Sequence, residues 1–308
     1  MKHVAHWDDA PSWPLELGEI SSTWTGLGQA ASSDTIGLRR LEVHPDSRST
    51  PVHDHLGDEE IFYVLGGSGL LWLNGATCEI GANDCIVYRA GDGAHALRAG
   101  PDGLDVLTFG MRVRVAATHL PRAGVAWLFP TWIEAGVGSD PFTREKEAGP
   151  LEYPPPSPRP KSVVGLADVE AERLEHGRVA RTRRKLSEKA RSRQSGLQHV
   201  TVEPGRWGTP PHCHSAEEEL FFVLDGDGVV ALGDEEHPVR RGSVVSRPAG
   251  TGVAHAFRAG DAGLVYLAYG TREPNDICWY PRSRKVALRG LGVIFRVSEP
   301  LDYWDGED

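Results

Sequence analysis

Eight side chains in two evenly spaced sets carry the chemistry open to this sequence. His53 and His55 flank Asp54, with Glu60 and His95 downstream; His212 and His214 flank Cys213, with Glu219 and His255 following in the same order. Side chains alternate between the faces of a strand, so both histidines of each HxH tripeptide point one way and the residue between them points the other. Glu60 opens an apolar run in phase with Phe62 and Val64, which lets its carboxylate reach the same point from a neighbouring strand. Three neutral imidazoles and a carboxylate, with positions left for water or substrate, suit a mononuclear divalent first-row metal. Glu59 and Glu218 fall on the opposite face and are expected to point outward. A lone HxH or a lone Glu opening a strand says little; the case rests on all four residue types recurring in register.

That recurrence is an internal repeat. A shift of 159 residues lays 53–69 on 212–228, where nine of 17 pairs are identical, and one inserted residue, Val253, moves the shift to 160 so that Ala94–Gly100 meets Ala254–Gly260. The expected organisation is a first unit over 1–128, a Pro-rich linker and docking tail over 129–160, a second unit over 161–288 and a tail over 289–308. Prolines at 150, 154–156, 158 and 160 forbid helix and central strand and favour extended geometry. Short apolar runs such as Ile61–Leu65, Cys85–Tyr88 and Leu104–Phe109, punctuated by Gly, Asp and Asn, read as antiparallel strands. Many such strands in about 110 residues predict an all-β unit, a small barrel or jelly roll, present twice with pseudo-two-fold symmetry. The best helix candidate is Val169–Ala190. The basic run Arg178–Arg193, which overlaps its second half, is read as a solvated loop.

Both units resemble cupin domains, and the whole chain resembles a bicupin. The first cupin motif, HxH with a following Glu and a Gly about six residues on, is met by His53, His55, Glu60 and Gly67 and by His212, His214, Glu219 and Gly226. The second, a Pro-x-Gly turn followed by His, is met by Pro248-Ala249-Gly250 and His255, whereas Arg89-Ala90-Gly91 precedes His95. The resemblance implies two jelly-roll barrels, each able to hold one first-row divalent ion: Fe or Mn favoured, with Ni, Cu, Co and Zn able to compete.

Composition limits the rest. Lys and Arg number 33 against 43 Asp and Glu, for a net charge of −10, which argues against nucleic acid as a partner. No apolar run approaches the roughly 18–20 residues of a membrane span, and the expected address is cytoplasmic. Four cysteines without a CxxC pair are expected to be reduced, with Cys85 in the core and Cys213 turned away from the metal. His44, His119 and His199 are assigned to surface or packing. Phe62, Val64 and Leu97 are expected to line the first cavity, and Phe221, Val223, Phe257 and Tyr266 the second. Walls of that kind favour a metal-dependent oxygenase acting on a small apolar or aromatic oxygenated molecule, in a monomer or homodimer. Two alternatives stand beside it. One is a redox-neutral isomerase or decarboxylase, in which Glu60 or Glu219 also moves a proton; the other is a non-catalytic metal-dependent binding protein. The redox-neutral enzymes need an Arg or Lys clamp inside the barrel to hold an anionic substrate; the sequence places little fixed cationic charge near the metal apart from Arg39 or Arg89, and no such clamp.

Overall fold

The computed structural model describes residues 3–112, 117–128, 131–134 and 140–307. Two copies of one β architecture account for most of them. In the N-terminal half the strand Glu60–Leu73 lies between Asp84–Tyr88 and His95–Met111, and the sheet continues through Ile36–Val43 and Ile20–Thr25. In the C-terminal half Glu219–Leu232 lies between Ser243–Arg247 and His255–Thr271, followed by Ser195–Val202 and Val179–Arg184. A four-stranded sheet faces each: Asp54–His55, Ala117–Leu120, Val125–Leu128 and Thr131–Glu134 in the first half, Cys213–His214, Ile277–Tyr280, Lys285–Leu288 and Val293–Arg296 in the second. The strand orders remain open, so each barrel is a two-sheet jelly roll.

The motif glycines have a steric origin. Gly67 and Gly226 have φ of 77° and 74°, and a Cβ at either would collide with the carbonyl of Gly103 or Gly263 on the adjacent strand. Strand register slips at these points, a bulge that bends the long central strand of each sheet.

Sequence copies and sheets part company at their first strands, which are exchanged. Val4–His6 pairs with Val245–Ser243 of the C-terminal sheet, and Val163–Gly165 pairs with Ile86–Asp84 of the N-terminal one. Between the halves lies a shared apolar core including Leu38, Ile61 and Phe109 from one and Leu197, Phe222 and Tyr269 from the other. Phe109 and Tyr269 stack at 5.1 Å, a contact worth about 1 kcal/mol beyond its buried area. The Pro-rich linker lies against the first barrel, its Glu152 and Pro154 carbonyls accepting from Trp72 Nε1 and Thr77 Oγ1.

Three expectations need correction. The stretch 169–190 is not a long helix: it forms the strands Glu172–His176 and Val179–Arg184, with helix only over Leu186–Lys189. Pairing of Val179–Arg184 with Glu172–His176 on one side and Ser195–Val202 on the other, with Val179 and Ala180 buried at the start of the second strand, outweighs the helix propensity of Arg and Lys. The basic run is therefore only in part a solvated loop: Arg181, Arg183 and Arg184 lie on the strand Val179–Arg184, while Arg178, Arg191 and Arg193 lie outside it and are exposed. Glu59 and Glu218 do point away from the metal centres, but into the interface between the barrels, where each is 1% exposed. Glu59 accepts from Ser192 Oγ, Arg193 N and Ser195 Oγ. Glu218 accepts from Ser33 Oγ, the backbone N–H groups of Asp34, Thr35 and Ile36, and Thr35 Oγ1. The two acids thus form a reciprocal, repeat-related lock.

Candidate metal centres

Each centre is assembled where the HxH segment runs antiparallel to the strand carrying the last histidine. His53 and His95 exchange backbone hydrogen bonds, as do His212 and His255. Glu60 and Glu219 arrive at the first positions of the central strands. In the first barrel Glu60 Oε2 lies 3.7, 3.0 and 3.4 Å from Nε2 of His53, His55 and His95. In the second, Glu219 Oε2 lies 3.9, 3.3 and 2.9 Å from Nε2 of His212, His214 and His255. All eight sequence-derived residues therefore gather as two sets of four.

The ring orientations are held from behind. His53 Nδ1 donates to the Pro51 carbonyl and His212 Nδ1 to that of Pro210, each at 2.9 Å, which leaves the Nε2 lone pair facing the acid. His55 Nδ1 lies 3.2 Å from Asp58, and His214 Nδ1 lies 2.7 Å from Asp276. Within each set, buried atoms with no hydrogen-bond partner converge: Nε2 of His55 and His95 with Glu60 Oε2, and Nε2 of His214 and His255 with Glu219 Oε2. Buried polar atoms left unpaired are costly, and a divalent cation satisfies all of them at once. Both donor sets fit a divalent first-row transition metal.

Local charge follows from the same arrangement. Burial lowers the pKa of His55 and His214, but Glu60 and Asp58 outweigh it for His55, lifting it to about 10, and Asp276 and Glu219 lift His214 to about 11. Burial and neighbouring imidazoles hold His95 and His212 near 4, in the neutral form a metal requires. Burial alone would raise the Glu60 and Glu219 carboxyls, yet the surrounding histidines keep both well below the ordinary range.

The surroundings differ between barrels. His212, His214, Glu219 and His255 all border one cavity of about 370 Å³, together with Phe221, Phe257, Tyr266, Tyr280 and Arg181. Arg181 is the feature that sequence reasoning missed. It faces inward from the strand Val179–Arg184, its Nε is buried without a partner, and Tyr266 and Glu219 are among its electrostatic neighbours. The signal that could have found it is the short apolar start Val179-Ala180 of a strand, from which Arg181 follows in phase with Val179. Cys278 and Asp276 were missed as well, both bordering the same cavity.

In the first barrel the donors border two separate recesses, Glu60 one of about 220 Å³ with Arg39, and His53 one of about 290 Å³ with Trp24, Trp127 and Phe142. Tyr88 stacks flat on His95, with centroids 3.6 Å apart. Of the expected wall residues, Phe221, Phe257 and Tyr266 do border the second cavity. Phe62, Val64, Leu97 and Val223 lie instead in packed core, all at most 5% exposed, because the layer beneath the histidines is filled by neighbouring apolar side chains. Cys85 and Cys213 are buried and free. His44 bonds Ser21 and Thr23, and His119 pairs with Asp54, both away from the centres.

The cupin domain family model matches residues 39–107 and 198–268, one segment in each barrel. No curated protein matches the chain by sequence. Among solved structures, oxalate decarboxylase from Bacillus subtilis at pH 4.6 superposes with a TM-score of 0.59 at 16% identity, covering 87% of this chain and 75% of that one. A structure of the same enzyme used to assign its Mn(II) centres gives 0.58 at 15% identity, covering 87% and 76%. At such identities the likeness speaks for the fold, and it agrees with the family match and with the twofold set of three histidines and a glutamate: the chain is a bicupin, with one cupin domain in each half.

Proposed function

We propose that the C-terminal barrel is the working site of a metal-dependent enzyme that decarboxylates a small carboxylate-bearing substrate. His212, His214, Glu219 and His255 would hold the metal there, and His53, His55, Glu60 and His95 a second ion in the first barrel. The observation that carries this reading is Arg181, a half-buried guanidinium whose Nε is buried and unpartnered in the cavity that all four donors border. A guanidinium in that setting is matched by a carboxylate, which it can grip through two parallel hydrogen bonds. The sequence alone favours an oxygenase for an apolar molecule because it shows no clamp of Arg or Lys inside the barrel; Arg181 removes that premise. The likeness to oxalate decarboxylase points the same way, and its Mn(II) centres make Mn the first metal to test.

When bound, the metal supplies Lewis acidity to a substrate oxygen. The chain supplies the rest. Arg181 orients the carboxylate, and the aromatic walls Phe221 and Phe257 restrict water around it. Tyr266, pushed up to about 12 by burial, stays protonated and offers its hydroxyl beside Arg181 as a hydrogen-bond or proton donor. Loss of carbon dioxide leaves an electron pair that must take up a proton, so a retained donor in the cavity suits this chemistry.

The test loads the protein with Mn(II), offers oxalate and other small 2-oxo and dicarboxylic acids, and follows carbon dioxide release and net oxygen uptake together. Release with net uptake far below one oxygen per turnover is expected. Arg181→Gln should lower kcat/KM by about a hundredfold, as for a lost charge-assisted hydrogen bond, with metal content unchanged. Stoichiometric oxygen uptake, or an Arg181→Gln variant as active as wild type, would overturn the reading.

A further inference from the structure

The two halves continue their repeat past the last strand of each small sheet. Eight residues beyond Thr131–Glu134 stands Phe142, and eight beyond Val293–Arg296 stands Trp304. The segments read Asp140-Pro141-Phe142-Thr143-Arg144-Glu145 and Asp302-Tyr303-Trp304-Asp305-Gly306-Glu307, an Asp, an aromatic two on, and a Glu three further. Their turns are built alike: Asp140 Oδ1 accepts from Phe142 N and Asp302 Oδ1 from Trp304 N, both at 3.1 Å.

Their positions differ. In the first half Glu145 is fully buried between Arg48 at 2.7 Å and Arg122 at 3.1 Å. That anchor sets Phe142 at the mouth of the first barrel, beside Trp24, Pro51, His53 and Trp127. In the second half Tyr303 and Trp304 stand 82% and 70% exposed. The repeat maps Trp24, Pro51, His53 and Trp127 onto Arg183, Pro210, His212 and Ala287, which all border the second cavity. These four wall positions therefore all have counterparts at the second cavity, and what is absent there is the aromatic itself; of the two arginines that hold Glu145, Arg122 has its counterpart in Arg282, while Trp207 stands in the place of Arg48. The exchange of Trp127 for Ala287 leaves room for a side chain larger than Phe142, and Trp304 is larger.

We propose that residues 301–307 close over the mouth of the second barrel of the same chain, with Trp304 taking the place that Phe142 takes in the first. The ion pair that secures the closed form is Glu307 with Arg282, the repeat counterparts of Glu145 and Arg122. Arg282 is exposed in the open arrangement seen here. Asp302, Asp305 and Glu307 would approach a rim carrying Arg183 and Arg289, whose present partners are Glu172 and Glu217. An indole over guanidinium groups adds cation–π attraction. Closure would shut bulk water out of the cavity and set an upper limit on substrate size.

Hydrogen exchange of the intact chain, read by mass spectrometry, tests this without metal or turnover, so its failure leaves the carboxylate reading of the cavity standing. In wild type the amides of 301–307 should exchange at least about tenfold more slowly than in Glu307→Arg. Arg282→Glu alone should remove the same protection, and the double charge reversal should restore it. Trp304→Ala should expose both the tail and the segment around Pro210. Exchange of 301–307 at the free-chain rate in wild type would overturn the proposal, as would protection that Arg282→Glu leaves intact. Protection that grows with protein concentration would place the tail on a second copy instead, and equally overturn closure within the chain.

Discussion

The two barrels hold the same four donors in nearly the same geometry and surround them differently. In the first, Ser22 occupies the position of Arg181, buried and hydrogen-bonded to Ser49 and Trp24, and Tyr88 covers His95. In the second, Arg247 replaces Tyr88 and turns its guanidinium to the Val253 carbonyl, and among the described residues no ring lies flat on His255 as Tyr88 does on His95. The acid behind the second histidine of each HxH also changes origin. Asp58, three residues on, supports His55, whereas Asp276 on a different loop supports His214. Glu217, the counterpart of Asp58, is thereby freed; burial and the adjacent Glu219 push its carboxyl up to about 8, and it pairs with Arg289 at the cavity edge. The donor set is fixed by backbone pairing and survives duplication, while access and substrate charge are decided by side chains one or two positions away.

The sharpest way to break this comparison is to remove each donor set in turn. His212→Ala/His214→Ala should lose one metal per chain and reduce turnover by at least about a hundredfold. His53→Ala/His55→Ala should also lose one metal yet keep most of the turnover. Elemental analysis beside a steady-state assay reads both, and equal activity losses would mean that the barrels are not functionally distinct. The folds should persist in either case, since their apolar cores rather than the centres supply most of the burial.

Next in size is the lock between the halves. Glu218 accepts five hydrogen bonds from residues 33–36 and Glu59 accepts three from 192–195. Removing a buried acceptor strands its donors, so Glu218→Ala should cost about 3–5 kcal/mol and Glu59→Ala distinctly less. Because Glu60 and Glu219 are the next residues in the chain, metal affinity should fall in the same order. Urea unfolding and metal titration of the two variants check this, and a larger loss from Glu59→Ala would reverse the ranking.

Much of this was legible in the sequence because its signals are local. The repeat, the alternation around His53 and His212, and the apolar runs specify the jelly rolls and the two donor sets. What escaped depended on partners distant in the chain. Glu218 reads as an exposed acid until residues 33–36 of the other half are brought to it. Arg181 reads as one cation among many until its strand is closed over the cavity. The exchange of the strands Val4–His6 and Val163–Gly165 leaves no mark in the repeat at all, because either half could accept either strand.

The smallest expected effect separates positions 40 and 199, which the repeat makes equivalent. Arg40 stays charged, bonds Asp105 at 2.9 and 2.8 Å, and lies 4.5 Å over the ring of Trp7. His199 is 8% exposed, and burial, with Arg184 paired beside it on the neighbouring strand, lowers its pKa to about 4. The unfolded chain takes up a proton there near the ordinary value of about 6.5, well before the folded one does, so stability falls as pH drops below that value and the loss is nearly complete near 4. At pH 5 the loss amounts to about 2 kcal/mol. His199→Leu should remove this increment: the stability difference between pH 7 and pH 5, measured by urea unfolding, should be smaller in the variant by about that amount. An identical pH dependence in wild type and variant would show that His199 titrates normally and that the two positions do not differ in this respect.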